Sequence, residues 1–381
     1  MQNSLIEKIP DLLKSGKNFA YMCKFENEDR TLGKERLYVG SELIQSESSS
    51  FLDQIHEEVP LIISFAYAKH MFGIGNQKSE YPGLLGLIPE EKFQNVIRRD
   101  QPMVGSRESA VFTDRKLEDN IKRVRERIRQ GEILQAVLSR TFGPVYPDPV
   151  QRLRSFIIND RSIYVFYYRM GNYEIMGSSP ENVITVNGEN LMIEPIAGTR
   201  KSSDNPEERE RIKKSLLEDE KELLEHRMLV DLARNDLGKI SEFGSVHVTD
   251  SMIVREFNSV MHIVSRVESK RRPNIKMSQI VDAIFPAGTV SGAPKERAIE
   301  IIDQYEGDDR GPYAGAVGII AENFMDLALS IRCIYRMGDS FYVRAGAGIV
   351  KDSVPENEVQ EMFNKALSAV GGDMNQITVC K

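Results

Sequence analysis

Two pairs of glutamates have a spacing that could do chemistry. Glu222 and Glu225 lie three apart in one segment of helical periodicity, and Glu358 and Glu361 lie three apart in another. Residues i and i+3 share a helical face, so each pair can aim two carboxylates at one point. Hard oxygen ligands of this kind suit Mg²⁺, which keeps several waters and takes few carboxylates directly. The same spacing also describes a solvated helix face. Arg332 sits in the apolar run Leu327-Ala-Leu-Ser-Ile-Arg-Cys-Ile334, read as part of a strand. A guanidinium there needs an anionic partner, either a protein carboxylate or a bound anion, because burying its charge alone is expensive. His262 alternates with Val260 and Val264 on a strand face, as a satisfied core histidine or an acid–base group would. The run Phe285-Pro-Ala-Gly-Thr-Val-Ser-Gly-Ala-Pro-Lys-Glu-Arg297 is a small-residue loop feeding a helix-like stretch over 295–304. Its backbone N–H groups could hold an anion at a helix N-terminus, or simply cap a tight turn.

These residues depend on elements that hold them. A narrow apolar stripe of Leu117, Ile121, Val124 and Ile128 predicts a helix over about 114–130, ended by Gly131. A strand-like segment follows at 133–140, and β-rich patterning covers 163–186. One long helix is predicted from 206 to about 232. Asn205 is its N-cap, Pro206 its first residue, and Glu208 completes a variant capping box. Strands are predicted at 260–267, 314–320, 327–335 and 341–350, with a final helix from Pro355. Residues 1–112 read as mixed strands, loops and one helix. Strands in series with few helices and no βαβ alternation predict an α+β fold with antiparallel sheets.

Composition narrows the class. The chain has 381 residues, 41% hydrophobic and 28% charged, enough for a sizeable core and unlike a disordered protein. A net charge of −7 argues against nucleic acid as a general partner, so a small anionic substrate needs locally placed cations. Cys23, Cys333 and Cys380 are scattered, which suggests neither a disulfide framework nor a zinc site and fits a reducing compartment. No apolar run reads as a signal peptide or a membrane span, so the expectation is a cytoplasmic protein.

The 285–297 string closely resembles the signature of the chorismate-utilising enzymes, and within them the large subunit of anthranilate synthase. Further strings carry the resemblance from about 113 to 370. They are Glu225-His-Arg-Met-Leu-Val-Asp-Leu-Ala-Arg-Asn-Asp236, Asp352-Ser-Val-Pro-Glu-Asn-Glu-Val-Gln-Glu361, and Pro195-Ile-Ala-Gly-Thr-Arg200. The resemblance implies two large antiparallel sheets packed face to face, helices outside, and an active site between them. It implies one catalytic unit over 1–381, with a divergent part at 1–112 and the chorismate-binding core at 113–370. Glu225 and Glu361 would hold Mg²⁺, backed by Glu222 and Glu358. Arg332 and Tyr313 would grip the enolpyruvyl carboxylate, and Gly198, Thr199, Gly346, Ala347 and Gly348 would contact substrate. Glu181 would protonate the departing C4 hydroxyl, His262 would support the lyase step, and Thr289, in the 285–297 loop, would be a third catalytic residue. The family usually carries Gln where Arg344 stands.

Two positions separate the branches of the family. Water-using relatives carry an activating Lys where this chain has Gln135. Many aminodeoxychorismate synthases carry a nucleophilic Lys where it has Ala197. Both absences imply the anthranilate branch, in which ammonia attacks chorismate directly. The alternatives are an aminodeoxychorismate synthase component that has lost its Lys, and a retired paralogue that binds a glutaminase. No Cys lies in a Gly-x-Cys-x-Gly elbow, so use of glutamine would need a separate glutaminase subunit supplying ammonia. Of the family's tryptophan-feedback strings, one is not evident and the other is degenerate at 159–165, so tryptophan control is left without its expected residues.

Overall fold

The computed structural model describes residues 4–26, 30–75, 79–99, 111–160, 162–203, 205–257, 260–373 and 377. Two antiparallel sheets dominate it. The first runs, in spatial order, Gly292–Ala293, Gln135–Val145, Ser340–Ile349, Cys333–Met337, Tyr173–Ser179, Tyr164–Met170, Asn18–Phe25, Leu32–Gly40 and Glu91–Arg98. The second runs Ile196–Lys201, Val260–Lys270, Asn190–Ile193, Asn182–Asn187, Phe324–Leu329, Ala316–Ala321, Val59–Ile63, Leu84–Ile88 and Glu42–Ser46, with His247–Phe257 added against Val260–Lys270. Strands from the first 112 residues lie in both sheets and pair there with strands of the remainder.

Period-2 alternation explains why the central strands are apolar on both faces. On Asn18–Phe25, Ala20 and Met22 face the core shared by the sheets, while Phe19, Tyr21 and Cys23 face a second core. Tyr164, Phe166 and Tyr168 divide from Val165 and Tyr167 in the same way. Helices Pro149–Asn159 and Pro355–Ala369 cover that second core with Leu153, Phe156, Phe363 and Ala366.

Two chain segments switch sheets side by side, and they build the site. Tyr173–Ser179 belongs to the first sheet and Asn182–Asn187 to the second, with Pro180 and Glu181 between them. In the opposite direction, Phe324–Leu329 passes through residues 330–332 into Cys333–Met337. The crossings are tied together: Leu329 N–H donates to Glu181 O at 3.0 Å and Ser178 N–H to Arg332 O at 3.3 Å. The strand predicted over 327–335 is therefore broken, and Arg332 stands at the break with φ of +49°. A non-glycine residue in the left-handed region is uncommon, and here it turns the chain between sheets.

Other expectations are corrected locally. The long helix is two helices, Pro206–Glu218 and Glu220–Gly238, divided at Asp219, whose carboxylate caps the second by accepting from Lys221 and Glu222 N–H. Asn205 caps the first as expected. Glu208, however, accepts from Ser203 Oγ at 2.6 Å, and the Asn205 N–H goes to Ser203, so there is no reciprocal capping box. The described residues among the first 112 contain two α-helices, Ile9–Lys14 and Phe65–Phe72, where one was expected. Among the described residues no helix is long and apolar enough to cross a membrane.

Candidate active site

A cavity of about 210 Å³ lies where the sheet crossings meet helix Glu220–Gly238 and the loop holding Thr289. Glu181, Gly198, Glu225, His262, Thr289, Tyr313, Arg332, Gly346 and Gly348 all line it. The structure thus brings together residues spread over most of the second half of the chain. Thr199 shares the strand of Gly198, but its side chain lies outside the described residues. Ala347 is buried on strand Ser340–Ile349, its side chain in the core shared by the sheets.

Arg332 settles the question that its apolar surroundings raise. It has no ion-pair partner among the described residues, and it lines the cavity. Its guanidinium is thus available to a bound anion, and its fork geometry suits a carboxylate. Arg344 is the reverse case. It is buried and its donors go to Glu306 Oε2 at 2.6 Å, both Asp308 oxygens at 2.9 Å, Ser139 and Thr141. Glu306 also receives Arg310, which in turn holds Val290 O and Val137 O. Arg344 is therefore a wall-bracing cation, which explains how it can stand where Gln is usual.

Burial tunes both Glu181 and His262. Thr289 Oγ1 donates to Glu181 Oε1 at 2.6 Å. Burial pushes the Glu181 carboxyl up to about 7, against the opposing pull of that hydrogen bond, Lys365 and Arg332. A carboxyl near neutrality is poised to give a proton. His262 is 8% exposed, and its Nδ1 lies 2.9 Å from Gly198 O. Burial brings its pKa down to about 4, with the Gly198 contact opposing and nearby Arg332 and Arg30 reinforcing. The imidazole is thus neutral at pH 7, and a carbonyl acceptor at Nδ1 assigns the proton there and the lone pair to Nε2.

The four glutamates converge less completely. Burial, Glu222 and Glu361 all raise the Glu225 pKa, and burial and Glu361 raise that of Glu358. Mutual repulsion of this kind shows a shared field that favours a cation. Glu222, though, already pairs with Arg200 at 2.9 Å, and Glu361 with Lys365 at 2.6 Å. Among the described residues no group of three or more His, Cys, Asp or Glu side chains forms a ready cage. A donor set of one or two carboxylates fits Mg²⁺, which retains most of its waters, and not a cation needing an all-protein shell.

Two further expectations change. The start of helix Lys295–Glu306 does not face the cavity, and Lys295 pairs there with Asp236 at 2.5 Å. The loop contributes Thr289 and Val290. The sequence reading also omitted Lys365 as a site residue. Its Nζ donates to Gly346 O at 3.0 Å, and it lines the cavity. Its position four after Glu361 on a helix was the available signal. Gln135 lines the cavity too, buried, with Oε1 lacking a partner among the described residues.

Residues 92–371 match the chorismate binding enzyme family. This chain belongs to that family. It is 46% identical over 357 residues to anthranilate synthase component 1 of Methanothermobacter thermautotrophicus, covering 90% of this chain and 76% of that relative. It is 44% identical over 279 residues to the component 1 of Aquifex aeolicus, covering 72% of this chain and 56% of that one. The chain thus spans little more than half the length of the Aquifex relative. Among solved structures, anthranilate synthase component I from Streptococcus pneumoniae superposes with a TM-score of 0.75 at 31% identity, covering 92% of each chain. MenF, the menaquinone-specific isochorismate synthase of Escherichia coli, superposes at 0.72 with 19% identity, covering 93% of this chain and 88% of that one, which speaks to the fold. The chorismate-binding fold therefore accounts for both sheets and for the crossings between them.

Proposed function

We propose that this chain is component I of an anthranilate synthase, a lyase converting chorismate and ammonia to anthranilate and pyruvate in aromatic amino-acid (tryptophan) biosynthesis. The observation that carries this reading is that Gln135 and Ala197 both line the cavity. These are the positions where relatives carry an activating or a nucleophilic Lys, so neither amine is presented to the ring. Ammonia must then be the nucleophile itself.

Arg332 and Tyr313 hold the enolpyruvyl carboxylate. Glu225 and Glu361 would hold Mg²⁺, with Glu222 and Glu358 behind them, and the bound ion would supply positive charge to the ring carboxylate. Ammonia adds at C2 as Glu181 gives its proton to the C4 hydroxyl, which leaves as water, and the proton shed by the new C2 ammonium group restores the Glu181 carboxyl through solvent. The C2 proton is then removed, the C3–O bond breaks, and the expelled enolpyruvate takes up a proton at its methylene carbon to become pyruvate, leaving the ring aromatic, with neutral His262 assisting. Much of the acceleration comes from orientation. A separate glutaminase component supplies the ammonia in the cell. Cys23 and Cys333, both free and buried, support a reducing, cytoplasmic setting.

The test is product identification after mixing the purified chain with chorismate, Mg²⁺ and ammonium. Fluorescent anthranilate and pyruvate are expected, and glutamine in place of ammonium should give none. 4-Amino-4-deoxychorismate as sole product would overturn the reading. In the same assay His262→Met should consume chorismate but release aminodeoxyisochorismate. Wild-type rates of anthranilate would make His262 a core residue only.

A further inference from the structure

A second, smaller cavity of about 40 Å³ shares a wall with the first. Glu181, Leu229 and Thr289 line both. It has room for a few water-sized molecules, far too little for a substituted ring. Most of its wall is apolar, including Val183, Leu232, Ala233 and Ile284. Its carboxylates are already engaged: Glu194 with Arg266 at 2.9 Å, Asp236 with Lys239 at 3.0 Å and Lys295 at 2.5 Å, and Glu181 with Thr289.

Asn182 also lines this space and is 3% exposed. Its Nδ2 donates to Tyr164 Oη at 2.8 Å, Thr185 Oγ1 at 3.1 Å and Leu327 O at 3.4 Å. Tyr164 Oη in turn donates to Asp326 Oδ1 at 2.6 Å, so it needs a donor from Asn182. That network, with the Leu327 carbonyl, fixes which way the amide points. Among the described residues the amide oxygen is left buried without a partner. An orphaned buried acceptor is destabilising unless something donates to it.

We propose that this cavity is the binding site and entry route of the nitrogen nucleophile, which binds as ammonia, or as ammonium that gives its extra proton to water before attacking as ammonia, with Asn182 Oδ1 as its acceptor. The inference rests on the proposed function above, since it assigns a place to the second substrate of that reaction. Chorismate held by Arg332 occupies the larger cavity, so the second reactant needs its own approach. The small cavity ends on the shared wall formed by Glu181 and Thr289. Its size excludes larger amines, and the unpaired amide oxygen of Asn182 favours a molecule rich in N–H donors.

Two experiments separate this inference from the functional reading. In the first, Ala233→Val and Val183→Ile narrow the cavity from opposite sides without touching the larger one. Circular dichroism checks the fold, and ammonium and chorismate are varied in turn. The KM for ammonium should rise about tenfold while that for chorismate stays within about twofold. An unchanged ammonium KM in both folded variants, or a parallel rise for chorismate, would overturn the proposal. In the second, crystals are soaked in rubidium chloride, the metal ion serving as an ammonium mimic. An anomalous peak is expected beside Asn182 in the wild type and not in Ala233→Val. A wild-type cavity holding only water would overturn the site whatever the enzyme makes. A rubidium peak with no anthranilate from the wild type would instead defeat the functional reading and, with it, the assignment of this site to the nucleophile.

Discussion

At the sheet crossings, Arg332 has no protein counter-ion among the described residues and Glu181 accepts from the Thr289 hydroxyl. On the helical side, Glu222 already holds Arg200 at 2.9 Å and Glu361 holds Lys365 at 2.6 Å. The crossings are braced by backbone hydrogen bonds between two strands that change sheet together. The helical carboxylates stand on side chains whose present partners are exposed or half-exposed, so those ion pairs contribute little and exchange readily. One wall is therefore preorganised for an anion, and under the proposed function the other would have to trade internal cations for a metal. Binding at the first wall should tolerate little change, and binding at the second should be adjustable.

The largest effect is expected at the crossing. Arg332→Lys keeps the charge but loses the fork, and kcat/KM for chorismate should fall by about a thousandfold or more, with the circular dichroism spectrum unchanged. A loss of only a few fold would show that position 332 is not a bidentate anchor and would erase the contrast between the walls.

Glu181 comes next. If it acts as an acid, kcat should fall as pH rises through about 7, because deprotonation removes the proton that the leaving hydroxyl needs. Glu181→Gln should lower kcat by about a hundredfold or more and abolish that limb of the profile, measured at constant free ammonia. A limb that persists in the variant belongs to another group.

On the adjustable wall, chelation should abolish activity and Mg²⁺ should restore it. Glu225→Gln and Glu361→Gln should raise the Mg²⁺ needed for half-maximal rate by about tenfold or more, while leaving thermal stability near wild type. Full activity at unchanged Mg²⁺ would make these carboxylates a solvated face. The smallest effect is expected from Arg200→Met, which frees Glu222. Mg²⁺ affinity should then improve by about two- to fivefold, since one competing cation is gone. Weaker Mg²⁺ binding would mean that Arg200 positions Glu222 and does not compete for it.

Much of the helical wall is readable from local pattern. The Glu222/Glu225 and Glu358/Glu361 spacings, the Asn205 cap and the Pro355 start all survive into the structure, because helix faces and caps are set within a few residues. The helix break at Asp219 was missed because Asp is tolerated in a helix as well as at a cap. The partner of Arg344 was equally hidden. Glu306 and Asp308 are distant in sequence, and only the packing of helix Lys295–Glu306 against strand Gln135–Val145 brings them within reach.

Strand alternation is likewise local. It tells which residues of Asn18–Phe25 or Tyr164–Met170 face opposite ways, and that both faces are buried. It does not say which sheet a strand joins. The run through Arg332 reads as one apolar strand because both sheets are apolar inside, yet the chain leaves one sheet at Leu329 and enters the other at Cys333. That change is forced by pairing with the neighbouring crossing at Glu181, a long-range constraint with no local mark in the residues. Residue types and short spacings thus offered the glutamate pairs, Arg332 and His262 as candidates, while Glu181 and Tyr313 came only from the family resemblance. The shape of the cavity, with Arg332 lacking an ion-pair partner among the described residues and Glu181 raised towards neutrality, came from two strands changing sheets together, because desolvation and the lack of a counter-ion are properties of the packed surroundings and not of any segment alone.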